Sequence, residues 1–161
     1  MKNIELKILL KDSKEVESSI KQIGAKFQGD LRQIDTYFNY PKGRLKIREI
    51  NNKEFVLISY SRPNKKGSKL SDYKIIKLTK ENASQLKKLL LNNFGLKTIV
   101  KKLRSLWIYR HTRIHLDKVT NLGKFLELET AITSSISNYN AKSEHKNDDV
   151  ADGEIEILEK I

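Results

Sequence analysis

The 161-residue sequence contains no cysteine, which excludes disulfides, zinc–thiolate centres and thiol nucleophiles together. It also lacks any apolar run approaching the roughly 18 residues of a membrane-spanning helix. The opening segment, MKNIELKILLKD, interrupts its apolar positions with charges and has no small-residue cleavage site. It reads as a strand and not as a secretory leader, and the expected location is the cytoplasm, with no membrane partner. Hydrophobic residues make up only 38% of the chain and charged residues 32%. That balance suits one globular domain with a polar functional surface, long enough to bury a core without a structural metal.

What the chain has in excess is positive charge. Its 32 Lys and Arg against 20 Asp and Glu leave a formal +12, with a pI near 9.7. Such a balance points to polyanionic partners: nucleic acid, an acidic membrane surface or phosphorylated small molecules. Only the placement of the charges distinguishes among them.

Hydrophobic periodicity outlines the elements. Ile4, Leu6, Ile8 and Leu10 alternate with Glu5 and Lys7, a strand pattern. Asp12 or Ser13 caps a helix carrying Val16, Ile20 and Ile23, which Gly24 ends. A β-rich region follows from about Arg32 to Leu78: IDTYFNY, a turn at Pro41-Lys42-Gly43, RLKIREI, FVLISYSR and a strand around YKIIKL. The stretch from Pro63 to Ser71 is basic and turn-rich, an expected hairpin loop. A second helix is expected over about Lys80–Phe94, between Thr79 as cap and Gly95 as stop. The strands TIVKKLRSLWIYR, TRIHLDKV and FLELETAI come after it. From about residue 134 to 153 the composition turns polar, and weak order is expected there, with a short helix over 154–161. The expected organisation is thus a β-barrel domain over 1–133 and a polar tail over 134–161. The expected class is α+β, with many antiparallel strands in a barrel or strongly curved sheet.

The charges follow the strand period. Arg44, Lys46 and Arg48 share one face, with Leu45 and Ile47 on the other. Arg113, His115 and Asp117 oppose Ile114 and Leu116, and Glu127 and Glu129 oppose Leu126 and Leu128. Lys102 and Arg104 pair in the same manner. A sheet facing water also alternates, but it usually mixes signs and neutral polar residues. Three successive cations at 44, 46 and 48 make sense where charged faces converge on a wet cavity holding a polyanion, since an unpaired buried ion costs several kcal/mol. Glu5, Asp117, Glu127 and Glu129 lie on the same faces as the cations. Such hard oxygen donors suit Mg²⁺ or Mn²⁺ beside phosphate, or serve as ion-pair partners.

The segments NIELK, DTYFNYPKGRLKIRE, LISYSRP and KKLR…TRIHLDKVTNLGKFLELE resemble the CYTH superfamily, the triphosphate tunnel metalloenzymes, in the class IV adenylate cyclase-like branch. The resemblance covers about residues 3–132, and the pairing of GRLKIRE with HLDxVxxLGxFLELE is its specific part. It implies a closed eight-stranded antiparallel barrel with flanking helices and a triphosphate held along its interior. By position, it implies Glu5 and Lys7 in the E-x-E-x-K signature, with Arg44, Lys46, Arg48, Arg62, Lys102, Arg104 and Arg113, together with Lys7, as phosphate-binding cations. Glu127 and Glu129, with Glu5, are implied as ligands of Mg²⁺ or Mn²⁺. For the chemistry itself, Asp117 and Lys7 are the candidate catalytic residues, Asp117 to position water or a second ion and Lys7 to act on the nucleophile. Asn3 departs from the pattern by standing where the first signature Glu would be. The tail after Thr133 is also shorter than the usual helical continuation.

The expected function is divalent-metal-dependent hydrolysis of a triphosphate: inorganic, nucleoside or thiamine triphosphate. Positioned cations would stabilise charge on the transferred phosphoryl and leaving groups. One alternative is a class IV adenylate cyclase, in which the ribose 3′-hydroxyl attacks the α-phosphate and pyrophosphate leaves. Another is a non-catalytic module for polyphosphate or RNA, favoured by the net charge and the lysines at 65 and 66. A monomer or homodimer is expected. His115 and Asp117 share a face, but no serine motif accompanies them, which argues against a hydrolase triad. His115 is assigned no role.

Overall fold

The computed structural model describes residues 2–61 and 69–132. Arg62, the basic loop as far as residue 68 and the expected polar tail with its terminal helix lie outside the described residues. Eight strands and two helices follow in the order β1 (Lys2–Leu10), α1 (Ser13–Gln22), β2 (Lys26–Phe38), β3 (Arg44–Ile50), β4 (Glu54–Ser61), β5 (Lys69–Leu78), α2 (Lys80–Phe94), β6 (Leu96–Tyr109), β7 (Thr112–Val119) and β8 (Gly123–Ile132). Both helices start where the sequence places a cap. The Asp12 side chain accepts from the Lys14 N–H, and Thr79 accepts from the Asn82 N–H, each satisfying an orphan donor of the first turn. Two strands begin earlier than expected: β2 at Lys26, and β5 at Lys69 within the expected loop. Neither early start shows strong alternation in the sequence, and pairing with β6 and β1 is what extends them. Among the described residues, no helix is long and apolar enough to cross a membrane.

The strand order is β1-β5-β4-β3-β2-β6-β7-β8, all neighbours antiparallel, and β8 pairs back onto β1 from Lys2 to Leu10. The α+β class with eight antiparallel strands agrees with expectation, but the full closure does not. Between β1 and β5 the ladder among the described residues spans only Lys2–Glu5 against Lys69–Asp72. In this register Tyr73–Leu78 run past the start of β1 and pair with β4 alone. Among the described residues, hydrogen bonds therefore do not close the sheet along its whole length, and it forms a curled tunnel.

The helices cover the outside of this tunnel. Ile20 of α1 is fully buried with Trp107, Ile114, Leu126 and Leu128, and Leu6, Ile8, Val16 and Ile23 pack around them. On the other side, Leu86, Leu90, Leu91 and Phe94 of α2 pack on Phe38, Leu45 and Ile47. Each fully buried aliphatic side chain contributes about 1.5–3 kcal/mol. The apolar face of every strand in these clusters thus points outward, beneath a helix. Its alternate face, which carries the charges, is left to line the interior.

Candidate functional site

The interior is a cavity of about 440 Å³. Its wall carries the cations Lys7, Lys46, Arg48, Lys102, Arg104 and Arg113, the carboxylates Glu5, Asp35, Glu127 and Glu129, and His115, Gln33, Tyr37, Tyr60 and Tyr73. Apolar side chains including Leu31, Ile50, Ile58, Val100 and Leu106 fill the wall between them.

Four of the cations are held by one device used twice. On β2–β3, Arg48 stands directly opposite Asp35 and donates from Nε and Nη2 at 2.8 and 2.9 Å. Lys46, two residues along the same face, reaches diagonally to Asp35 Oδ2 at 2.8 Å and to the Tyr37 hydroxyl at 3.2 Å. On β6–β7, Arg104 stands opposite Asp117 and donates from Nε and Nη2 at 2.7 and 2.8 Å, and Lys102 Nζ reaches the same carboxylate at 2.8 Å. Directly opposite and diagonal positions on one face of an antiparallel pair are the ones within side-chain reach, so a Lys-x-Arg strand beside an Asp strand makes this clamp. The pairing of β2 with β6 sets the two clamps side by side, with Gln33 opposite Lys102.

The electrostatics follow from burial and these contacts. Burial alone would favour protonated Asp35, but the Arg48 hydrogen bond and the Lys46 and Arg48 charges outweigh it and hold the carboxyl well below its usual range. Asp117 is lowered against burial in the same way, by Arg104 and Lys102. Burial, followed by repulsion from Arg48, lowers Lys46 despite the pull of Asp35. Burial and the Arg104 charge bring Lys102 down to about 8. The cradle thus holds a lysine close to the neutral-to-charged transition at ordinary pH.

The acidic end lies on β1, β7 and β8. In the ladders, Glu129 sits between Glu5 and Arg113, and Glu127 sits between Lys7 and His115. Arg113 Nη2 donates to Glu129 Oε1 at 2.8 Å, and Arg104 Nη2 donates to Glu127 Oε1 at 3.2 Å. Lys7 Nζ lies 3.5 Å from Glu127 Oε2. Glu5 accepts from the Tyr73 hydroxyl. Ligand atoms of His115, Glu127 and Glu129 all lie within 4.8 Å of one another. Burial would raise the Glu127 carboxyl, but His115, Arg104 and Lys102 hold it well below its usual value. A pair of carboxylate side chains beside an imidazole is a donor set that fits a divalent ion.

Most of the residues expected from the sequence meet in this cavity. Lys7, Lys46, Arg48, Lys102, Arg104, Arg113, Glu5, Glu127 and Glu129 all lie on its wall. Asp117 lies behind the wall instead, with a fully buried side chain whose partners are Lys102 and Arg104. Arg44 is also off the wall, its guanidinium 5.9 Å from the centre of the Tyr60 ring. Glu5 faces Glu129 across the ladder but is not part of the three-residue cluster; His115 takes that place. The Asn3 side chain and Arg62 lie outside the described ones.

Sequence reading passed over Asp35 and gave His115 no role. A signal for Asp35 was present, because Gln33, Asp35 and Tyr37 alternate with Ile34, Thr36 and Phe38 in a strand already recognised. His115 was on a face already marked as charged, but nothing in its spacing separates a ligand from a packed histidine.

The same architecture occurs in known proteins. A Methanocaldococcus jannaschii protein named "Putative adenylate cyclase MJ0240" is 28% identical, aligned over all of this chain and 90% of its own length. The solved structure of the PH1012 protein of Pyrococcus horikoshii OT3 matches with a TM-score of 0.72 at 28% identity, covering 84% of this chain and 82% of that one. The Hippeastrum protein HpAC1, described as having a dominant triphosphatase activity, matches with a TM-score of 0.62 over 86% of this chain and 83% of its own. At 14% identity it shows the fold alone. The family model of the CYTH domain matches residues 1–152, and the chain belongs to the CYTH domain family.

Proposed function

We propose that this chain binds a triphosphate-containing substrate in the tunnel and hydrolyses it with the help of Mg²⁺ or Mn²⁺. The observation that carries this reading is the composition of one cavity wall: clamped cations on β3 and β6, and an acidic cluster with His115 on β1, β7 and β8. The cations on that wall exceed the carboxylates by two charges. A triphosphate ester at neutral pH carries about −4, and one divalent ion brings the pair to about −2, which complements the wall.

Lys46, Arg48, Lys102 and Arg104 would hold the phosphate chain through charge-assisted hydrogen bonds. Their orientation is set before substrate arrives, because Asp35 and Asp117 lock the side chains in place, and such pre-organisation lowers the cost of stabilising developing charge. Asp117 acts through the two cations it holds. Glu127 and Glu129, with His115 beside them and Glu5 opposite, would hold the divalent ion, which supplies neutralisation of charge on the phosphate oxygens. Lys7 lies beside Glu127 on the same wall, placed to orient an attacking water, and Arg113 extends the cationic wall past Glu129. Arg62 is retained as a further phosphate contact on the strength of the sequence pattern.

Adenylate cyclase chemistry is the second reading, favoured by the name of the archaeal relative that aligns along the whole chain. The two readings differ in product. Purified protein would be incubated with tripolyphosphate, ATP and thiamine triphosphate, each with Mg²⁺, Mn²⁺ or EDTA, beside a Glu127→Gln control. Metal-dependent phosphate release that is absent in the control supports the hydrolase; pyrophosphate with cyclic AMP supports the cyclase. No product from any substrate overturns both and leaves a binding module.

A further inference from the structure

His115 is placed unlike an ordinary core histidine. It is 3% exposed, lies on the cavity wall, and its Nδ1 is buried without a hydrogen-bond partner. The Glu127 Oε1 oxygen it faces is 3.5 Å away, too far for a well-formed hydrogen bond. Leaving such a nitrogen unsatisfied costs about 1–3 kcal/mol, a cost that a bound ligand would remove. The nitrogen is not surrounded by apolar packing alone: β7 and β8 put His115 directly opposite Glu127 and one step from Glu129.

We propose that His115 is a direct ligand of the divalent ion, together with Glu127 and Glu129, and that this one-nitrogen, two-carboxylate set selects a transition-metal ion over Mg²⁺. Ligand atoms about 2.1 Å from one ion stand up to about 4.2 Å apart. The three side chains, within 4.8 Å of one another, are nearly drawn together already. Imidazole is a poor ligand for Mg²⁺, which favours oxygen donors and keeps its waters, and a good one for later first-row ions. The inference rests on the metal-dependent reading of the site and assigns one of its ligands.

The direct test is pulsed EPR on the full chain loaded with Mn²⁺. Imidazole ¹⁴N modulation in the wild type is expected, and its absence overturns the proposal without any variant having to fold. Calorimetric titration with Co²⁺ and Mg²⁺ provides the second arm. His115→Gln is expected to lose about tenfold or more in Co²⁺ affinity and to leave Mg²⁺ affinity within about threefold, with far-UV circular dichroism confirming the fold. Equal loss for both ions, or loss for neither, counts against His115 as the selecting ligand. Glu127→Gln separates the two levels. If it also leaves metal binding unchanged, the metal site itself is wrong; if it abolishes binding while His115→Gln does not, only the present inference fails.

Discussion

Asp35 and Arg48 face each other across the β2–β3 ladder and share two hydrogen bonds of 2.8 and 2.9 Å inside the tunnel. The pair reproduces, on a different pair of strands, the relation between Asp117 and Arg104. Each carboxylate also holds a lysine two residues from its arginine. A wet, charged interior would otherwise be filled with mobile cations. These clamps convert them into a fixed cradle.

The Asp35→Asn substitution removes the charge but little volume, leaving Lys46 and Arg48 buried without their counter-ion. Breaking a buried pair in this way costs about 3–5 kcal/mol. Urea unfolding monitored by Trp107 fluorescence is expected to show a loss of that size. A change under about 1 kcal/mol would mean that the cations do not depend on Asp35.

Affinity for an uncleaved triphosphate is expected to fall above neutral pH. Burial and Arg104 set Lys102 at about 8, and a phosphate prefers the charged lysine. The free site loses that charge as pH rises through about 8, so binding weakens by up to about tenfold per pH unit until the bound-state value is reached. Calorimetry with ATP in EDTA from pH 8 to 9.5 measures the slope, above the range of about 6–7 where ATP loses its last proton. Lys102→Arg, which stays charged, is expected to flatten it; an unchanged slope would move the titration to another group.

Glu129 forms with His115 and Glu127 the three-residue cluster that fits a divalent ion. Saturation at about 100 times the dissociation constant adds about 2.7 kcal/mol of stability, or about 5–10 °C in Tm for a chain of this size. Thermal unfolding with Mn²⁺ against EDTA is the measurement. The shift is expected to disappear in Glu129→Gln, and an equal shift in both proteins would place the ion elsewhere.

Gly43, in the turn before β3, has φ +137°, and a Cβ there would lie 2.8 Å from the Tyr60 carbonyl oxygen. That oxygen belongs to the backbone of β4, where Arg44 pairs with Tyr60, so it has little room to yield. Gly43→Ala is expected to cost about 1–3 kcal/mol through strain at this dihedral. Equilibrium unfolding with a near-native midpoint would show that the turn adapts.

Much of this molecule was legible before folding. Period-2 alternation places Lys46 with Arg48, Lys102 with Arg104, and Glu127 with Glu129 on shared faces, because successive side chains of a strand must point to opposite sides. Asp12, Thr79 and Gly95 mark helix ends through local hydrogen-bonding chemistry that needs no distant partner. Alternation does not say which face is inside, nor which strands are neighbours. The outward position of Leu126, Leu128 and Ile114 is decided by α1, whose Ile20 covers them. The meeting of the Lys46 and Lys102 clamps is decided by the long-range pairing of β2 with β6. Asp117 and Glu127 read alike as acidic residues on charged faces, yet one is enclosed behind its cations and the other lines the cavity. Register and sheet curvature make that distinction. They likewise bring His115 against Glu127, since a side chain's partners across a ladder are set by pairings between segments far apart in the chain, which the alternation within any one strand does not encode.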